Sequence, residues 1–245
     1  MDDGKLDALG QTIVSALPGA AISHSVAFNQ LTVTVQASKI VDVAGRSIGV
    51  FRVGEDFYGI RIECFGFDSA TGLPAPEDYR DVPHQLREGD FRMDEPALRA
   101  RLRRSELVLG LVQDTVPRFV ESAHPPLGFA SIDLDYYSST VHALQLLDAS
   151  PDRLLPRVVF YFDDLHGWMY SDINGEAAAV ADFNAAHEQR KIVEVRALRY
   201  DLPKSEHDLP WHEQIYIAHI LDHPEYGTPE RGEQHPTEHH VRLKD

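Results

Sequence analysis

Asp133, Leu134 and Asp135 come directly after the apolar stretch 128–132, and Asp163 and Asp164 come directly after the apolar stretch 158–162. Acids at the carboxyl ends of neighbouring strands converge on one crevice, and that crevice is where open α/β sheets bind ligands. About 30 residues separate the two clusters, which suits one helical crossover. Carboxylates gathered at close range repel one another, and a hard, oxygen-seeking cation such as Mg²⁺ relieves the repulsion. The competing reading is local. Asp135 would cap a helix running from Ser138, and Asp163 or Asp164 would open a loop. Singly the two readings balance; two clusters at equivalent topological positions favour a metal or ligand site.

Two further residues stand where they could join that chemistry. Asp68 ends the strand-like stretch 60–67, a place where an acid accepts hydrogen bonds from a nucleotide ribose. The alternative for Asp68 is an Asx-turn within Asp68-Ser69-Ala70-Thr71-Gly72. His166 follows Asp163-Asp164 closely enough to reach the same crevice and serve as general base, with a plain loop histidine as the alternative. The other histidines show no metal-site spacing, and His235, His239 and His240 lie in a polar tail. Arg99, Arg101, Arg103 and Arg104 read as a solvated helix face, and Cys64 as apolar filler within a strand.

Around these residues the pattern predicts helices over 5–17, 95–104, 116–121, 138–147 and 177–189. It predicts strands over 31–35, 60–67, 128–134, 158–162, 193–200 and 213–220, with short apolar runs at 39–43 and 107–112. Strand and helix alternate at βαβ spacing, so the expected class is α/β with a doubly wound sheet, covered on both faces by the apolar character of its strands. Residues 1–44 read as an N-terminal α/β appendage, 45–226 as the main domain, and 227–245 as a tail whose Pro, His, Glu and Gly content predicts disorder.

The chain has 245 residues, a length that can bury a sizeable core. Lys plus Arg is 23 against 39 Asp plus Glu, a formal net charge of −16. That balance argues against nucleic acid and against an anionic membrane surface as partners. One cysteine closes no intramolecular disulfide. No stretch approaches the roughly 20 apolar residues of a membrane span, and the start lacks a signal-peptide pattern. A cytoplasmic protein is expected, with self-association as a homo-oligomer left open.

Phe67-Asp68-Ser69-Ala70-Thr71-Gly72-Leu73-Pro74, Gly89-Asp90-Phe91, Asp114-Thr115-Val116-Pro117, the run from Ser131 through Asp133-Leu134-Asp135 to Thr140, and Tyr161-Phe162-Asp163-Asp164 occur in that order. Together they resemble the macrocin O-methyltransferase-like group of class I S-adenosylmethionine-dependent methyltransferases, over residues 58–226. The resemblance implies a Rossmann-like methyltransferase sheet in which Mg²⁺ orients a hydroxyl of a small sugar or natural-product type molecule beside the sulfonium methyl. It implies Asp133, Asp163 and Asp164 as metal ligands and Asp68 as the ribose acceptor. Gly89, Asp90 and Phe91 would lie near the adenine. Trp211-His212-Glu213-Gln214, ahead of a late strand, belongs to the same resemblance without an assigned role. In that family the first strand ends in an acid and a glycine-rich turn. Residues 40–49 hold an acid and two glycines at loose spacing, so the sheet is expected to be truncated at its first strand.

Residues 13–20, 31–35 and 38–43 resemble the start of the C subunit of NADH-quinone oxidoreductase, over about the first 44 residues. The chain thus reads as a junction near Ala44. Three functions follow: a Mg²⁺-dependent O-methyltransferase, a non-catalytic methyltransferase-like module with a broken cofactor site, or a fragment like that respiratory C subunit, docking on a quinone-reductase assembly.

Overall fold

The computed structural model describes residues 21–27, 30–35, 63–102, 105–196, 198–201, 204, 207 and 210–228. The expected helix at 5–17, the apolar run at 39–43, the glycine segment 40–49 and the tail beyond 228 lie outside the described residues.

Strand β1 (Ala21–Ala27) pairs antiparallel with β2 (Gln30–Val35) as a two-stranded sheet. Strand β3 (Cys64–Asp68) pairs in parallel with β4 (Ser105–Leu109). Between them lies helix α1 (Glu95–Arg101), whose first turn is capped by the Asp94 carboxylate accepting from the Ala97 amide at 3.0 Å. Helix α2 (Val112–Glu121) follows β4 and sets Phe119 edge-on against Phe65 and Phe67, at 4.8 and 5.1 Å between ring centroids.

The largest sheet runs in the order β5-β6-β8-β7, from Leu127–Ile132, Leu154–Phe162, Ile215–Ile220 and Arg190–Glu194. Strand β5 is parallel to β6 across helix α3 (Tyr137–Leu144), the expected βαβ unit. Helix α4 (Gly175–Ala186) connects β6 to β7, and β8 enters between them antiparallel to both. The α/β class therefore holds, and the large sheet is mixed rather than parallel throughout. Among the described residues no strand hydrogen bond joins β3 to β5, so the small parallel sheet and the four-stranded sheet stand as separate ladders.

Even-numbered side chains of the large sheet make the core. Val158, Phe160, Phe162, Ile192, Ala218 and Ile220 cluster with Ala143 and Leu144 of α3 and with Ala179, Val180 and Phe183 of α4. Small residues on α4 let that helix approach closely. The odd-numbered face differs from the expectation of cover on both sides. Phe129, Val159, Ile217 and Val193 form one row across the four strands, and Phe129, Val159 and Val193 are 55%, 37% and 44% exposed. No helix among the described residues is long and apolar enough to cross a membrane.

Candidate active site

Strand β5 ends at Ile132 and β6 at Phe162, and these two residues are register partners. The Asp163 amide donates to the Ile132 carbonyl at 3.0 Å, so the ladder carries one step beyond the strands and sets the two acidic clusters side by side. Asp135 sits at φ 57, which turns the chain sharply before α3. Its amide donates to Asp164 Oδ2 at 3.3 Å, and Tyr170 Oη donates to Asp135 Oδ1 at 2.6 Å.

The second cluster has its own partners. Tyr161 Oη lies 2.9 Å from Asp163 Oδ1 and 3.0 Å from Gln214 Oε1, while Gln214 Nε2 donates to the Asp163 carbonyl at 2.6 Å. Glu176, in the first turn of α4, is fully buried. Its Oε1 accepts from the Leu134 amide at 3.3 Å and its Oε2 from the Asp164 amide at 3.0 Å. The helix reaches this place because Gly175, at φ +54, has no Cβ; one added there would stand 3.0 Å from the Tyr170 ring and 3.4 Å from the Asp135 carbonyl.

Crowding shows in the protonation of these groups. Burial, then the charges of Asp135, Asp133 and Asp163, push the Asp164 carboxyl up to about 7. Burial and the neighbouring carboxylate of Asp164 push Glu176 up to about 9, against the two amide bonds it accepts. Asp133 is raised by burial and by Asp163 and Asp135; Asp135 is raised by burial despite the bond from Tyr170. The Tyr161 and Tyr170 hydroxyls are held protonated by burial and by the acids they face.

The donor chemistry of Asp133, Asp163 and Asp164 fits a hard cation, because all three offer oxygens whose mutual repulsion a divalent charge would relieve. Their spacing is not a finished coordination shell: among the described residues no three His, Cys, Asp or Glu side chains are arranged to hold a metal ion.

His166 stands beyond Asp164, about half-exposed, with Nε2 at 3.9 Å from Glu213 Oε2. Glu213 belongs to the turn Pro210–Gln214, and the stretch Trp211-His212-Glu213-Gln214 touches the acidic cluster through Gln214 and Asp163.

The other site residues form a second group. Asp68 ends β3, and its Oδ1 accepts from the Ala70 amide at 2.6 Å, which is the Asx-turn of the local reading. Leu73 and residues 89–90 exchange backbone bonds, Leu73 N to Asp90 O at 2.8 Å and Gly89 N to Leu73 O at 2.9 Å. Gly72 makes this approach feasible: it adopts φ +91, and a Cβ there would fall 2.3 Å from the Asp90 carbonyl. The loop after Asp68 is thereby packed against Gly89 and Asp90, and the neighbouring Phe91 is 69% exposed. Between the two groups lies Tyr136, fully buried. Its hydroxyl has no hydrogen-bond partner among the described residues and is pushed up to about 12 by burial and by the charges of Asp81, Asp90 and Asp135.

Sequence reasoning missed Tyr161, Tyr170, Glu176 and Gln214 as parts of the site. Tyr161 and Gln214 had a signal, their places in the stretches 161–164 and 211–214.

No family model matches the chain. An N-terminal segment of 43 residues is 70% identical to the C subunit of NADH-quinone oxidoreductase from Rhodopseudomonas palustris, strains TIE-1 and ATCC BAA-98 / CGA009. That match bears out the N-terminal resemblance. It takes in 18% of this chain and 21% of those proteins, so the chain spans about a fifth of the length of the curated relatives it matches. Among solved structures, the apo structure of CalS11, a TDP-rhamnose 3'-O-methyltransferase of calicheamicin biosynthesis, aligns with 75% of this chain and 70% of its own. The identity is 25% and the TM-score 0.36.

Proposed function

We propose that the chain is a Mg²⁺-dependent, S-adenosylmethionine-dependent O-methyltransferase acting on a hydroxyl of a small molecule of sugar or natural-product type, on a Rossmann-like sheet truncated at its first strand. The observation that supports it most is the side-by-side placement of the acids after β5 and β6, with Asp164 pushed up to about 7 by burial and by its acidic neighbours. Asp133, Asp163 and Asp164 would hold the cation. Asp68 retains free lone pairs for ribose hydroxyls beside the bond it accepts from Ala70, since a carboxylate offers roughly four acceptor sites. Gly89, Asp90 and Phe91 would lie against the adenine, on a loop that Leu73 and Gly72 hold next to Asp68.

When bound, the cofactor supplies an electrophilic methyl and the cation lowers the pKa of the acceptor hydroxyl. The chain's own residues orient the acceptor, and His166 takes the hydroxyl proton, with Glu213 close enough to steady the imidazolium.

The test is transfer of a labelled methyl from S-adenosylmethionine to a panel of hydroxylated sugars and polyketides. The expected result is transfer that EDTA abolishes and that His166→Ala slows by roughly 10²–10⁴-fold, the usual worth of a positioned base. Transfer that survives EDTA would remove the metal from the reading. The 43-residue match favours a second reading, in which the N-terminal segment docks on a respiratory quinone-reductase assembly and the remainder is a non-catalytic module. In that case no methyl moves at all.

A further inference from the structure

Glu176 has no role in the reading above, and its surroundings are unusual for a glutamate. It is fully buried at the first turn of α4, 42 residues from Leu134 and 12 from Asp164, the two residues whose amides it accepts from. Each carboxylate oxygen takes a different backbone amide, Leu134 on one side and Asp164 on the other. Leu134 lies between Asp133 and Asp135, and Asp164 follows Asp163. One side chain therefore spans the tips of both strands at the point where their ladder has ended. Beyond Asp163 N to Ile132 O, the tips are joined by Asp135 N to Asp164 Oδ2, at a long 3.3 Å, and by this carboxylate bridge.

The placement does not serve stability. An ionisable side chain buried beside acids must be desolvated, a cost that an apolar residue of similar size filling the same space would not carry. A glutamate carboxyl has an acceptor lone pair on each of two oxygens, whether or not it holds a proton, so it can satisfy two facing amides at once, which a glutamine with one acceptor oxygen cannot. We propose that Glu176 is a positioning residue, a two-ended bracket that fixes the strand tips carrying Asp133 and Asp163-Asp164 relative to each other and so limits how far the acids must move to take up a ligand. The proposal rests on the metal reading only for the identity of that ligand.

The experiment compares the full-length wild type with Glu176→Gln and Glu176→Asp. Gln keeps the volume and turns one acceptor into a donor that faces an amide; Asp keeps the carboxyl group and is one methylene too short to reach both. Amide hydrogen exchange at Leu134 and Asp164 and the Mg²⁺ affinity by calorimetry are read for each. In Glu176→Gln one of the two amides is expected to exchange at least 10-fold faster while Val158 and Ile192 keep their wild-type protection. Mg²⁺ affinity is expected to fall 10–100-fold, the usual cost of losing a residue that orients ligands, with Glu176→Asp between the two. Wild-type exchange at both amides in a folded Glu176→Gln, or freed amides with unchanged Mg²⁺ affinity, would overturn the proposal. A wild type that binds no Mg²⁺ while Glu176→Gln frees an amide would overturn the metal reading and leave the bracket standing. Should Gln fail to fold, Glu176→Asp decides by the same two readouts.

Discussion

Mg²⁺ titrated into the double variant Asp163→Asn, Asp164→Asn is expected to give no saturable heat, against one-site binding by the wild type. The substitution removes two of the three carboxylates that would hold the ion and leaves their volume and shape nearly intact. Losing an outer residue that merely orients a ligand costs about 10–100-fold, so the loss here should exceed about 100-fold. The same variant should melt at a higher temperature than the wild type in metal-free buffer, because two members of a self-repelling cluster have become neutral. Asp152→Asn, whose carboxyl stands outside the cluster, serves as the control and should bind as the wild type does. Unchanged affinity in the double variant would remove these residues from any metal site. The two readouts act in opposite directions, so general unfolding cannot imitate them.

The second large effect is on the dependence of stability on pH. In the unfolded chain Asp164 and Glu176 ionise near 3.8 and 4.5, whereas in the fold they ionise near 7 and near 9. Between those values the native state holds protons that the unfolded state has lost, so stability falls as pH rises. The fall is complete once pH passes the folded value of Glu176. Below pH 6.5 the window is less clean, because burial lowers His219 and gives a contribution of opposite sign. The lowered carboxyls of Asp78, Asp152 and Asp222 act only in acid, where their stabilisation is lost as pH drops. Between pH 6.5 and 9 the melting temperature should therefore drop by on the order of 5 °C in metal-free buffer. Saturating Mg²⁺ should flatten the curve, because a bound cation favours the ionised form of the acids around it. A melting temperature that rises across this window would contradict the crowded cluster, whatever the function.

How far the sequence carries the fold can be judged at particular residues. The ends of β5 and β6 fall where the apolar runs stop, since a carboxylate terminates a buried strand wherever the sheet meets water. The apolar pattern starts β6 four residues late, at Val158 rather than Leu154. Pro156 hides the true start, for proline cannot serve a regular ladder; here it falls in the irregular register between the pairs Leu127–Leu154 and Phe129–Val159. Residues 193–200 read as one strand, yet β7 ends at Glu194 and Leu198–Asp201 is a helical turn. The partner strand β8 supplies the reason: past Val195 N to Ile215 O it has no residue left within the strand to pair.

The site is legible only in part. Asp133, Asp163 and Asp164 stand out by position, and the structure sets them together. Glu176 does not, because helical periodicity begins at Ala177 and leaves it in the preceding loop, where an acid looks like surface. Its role depends on a contact across more than 40 residues with Leu134, which no local pattern encodes. The antiparallel entry of β8 between β6 and β7 is similarly non-local, as is the bare row from Phe129 to Val193. The run Val158 to Phe162 of β6 is apolar on both sides, and the cover it implies lies on one face only among the described residues.

The most direct test of the central claim is calorimetric titration of S-adenosylmethionine into the full-length protein with Mg²⁺ present. Saturable one-site binding is expected, weakened by Asp68→Asn and unaffected by Asp152→Asn. No heat at about 1 mM cofactor, a concentration at which a working site would be filled, would contradict the proposed cofactor site.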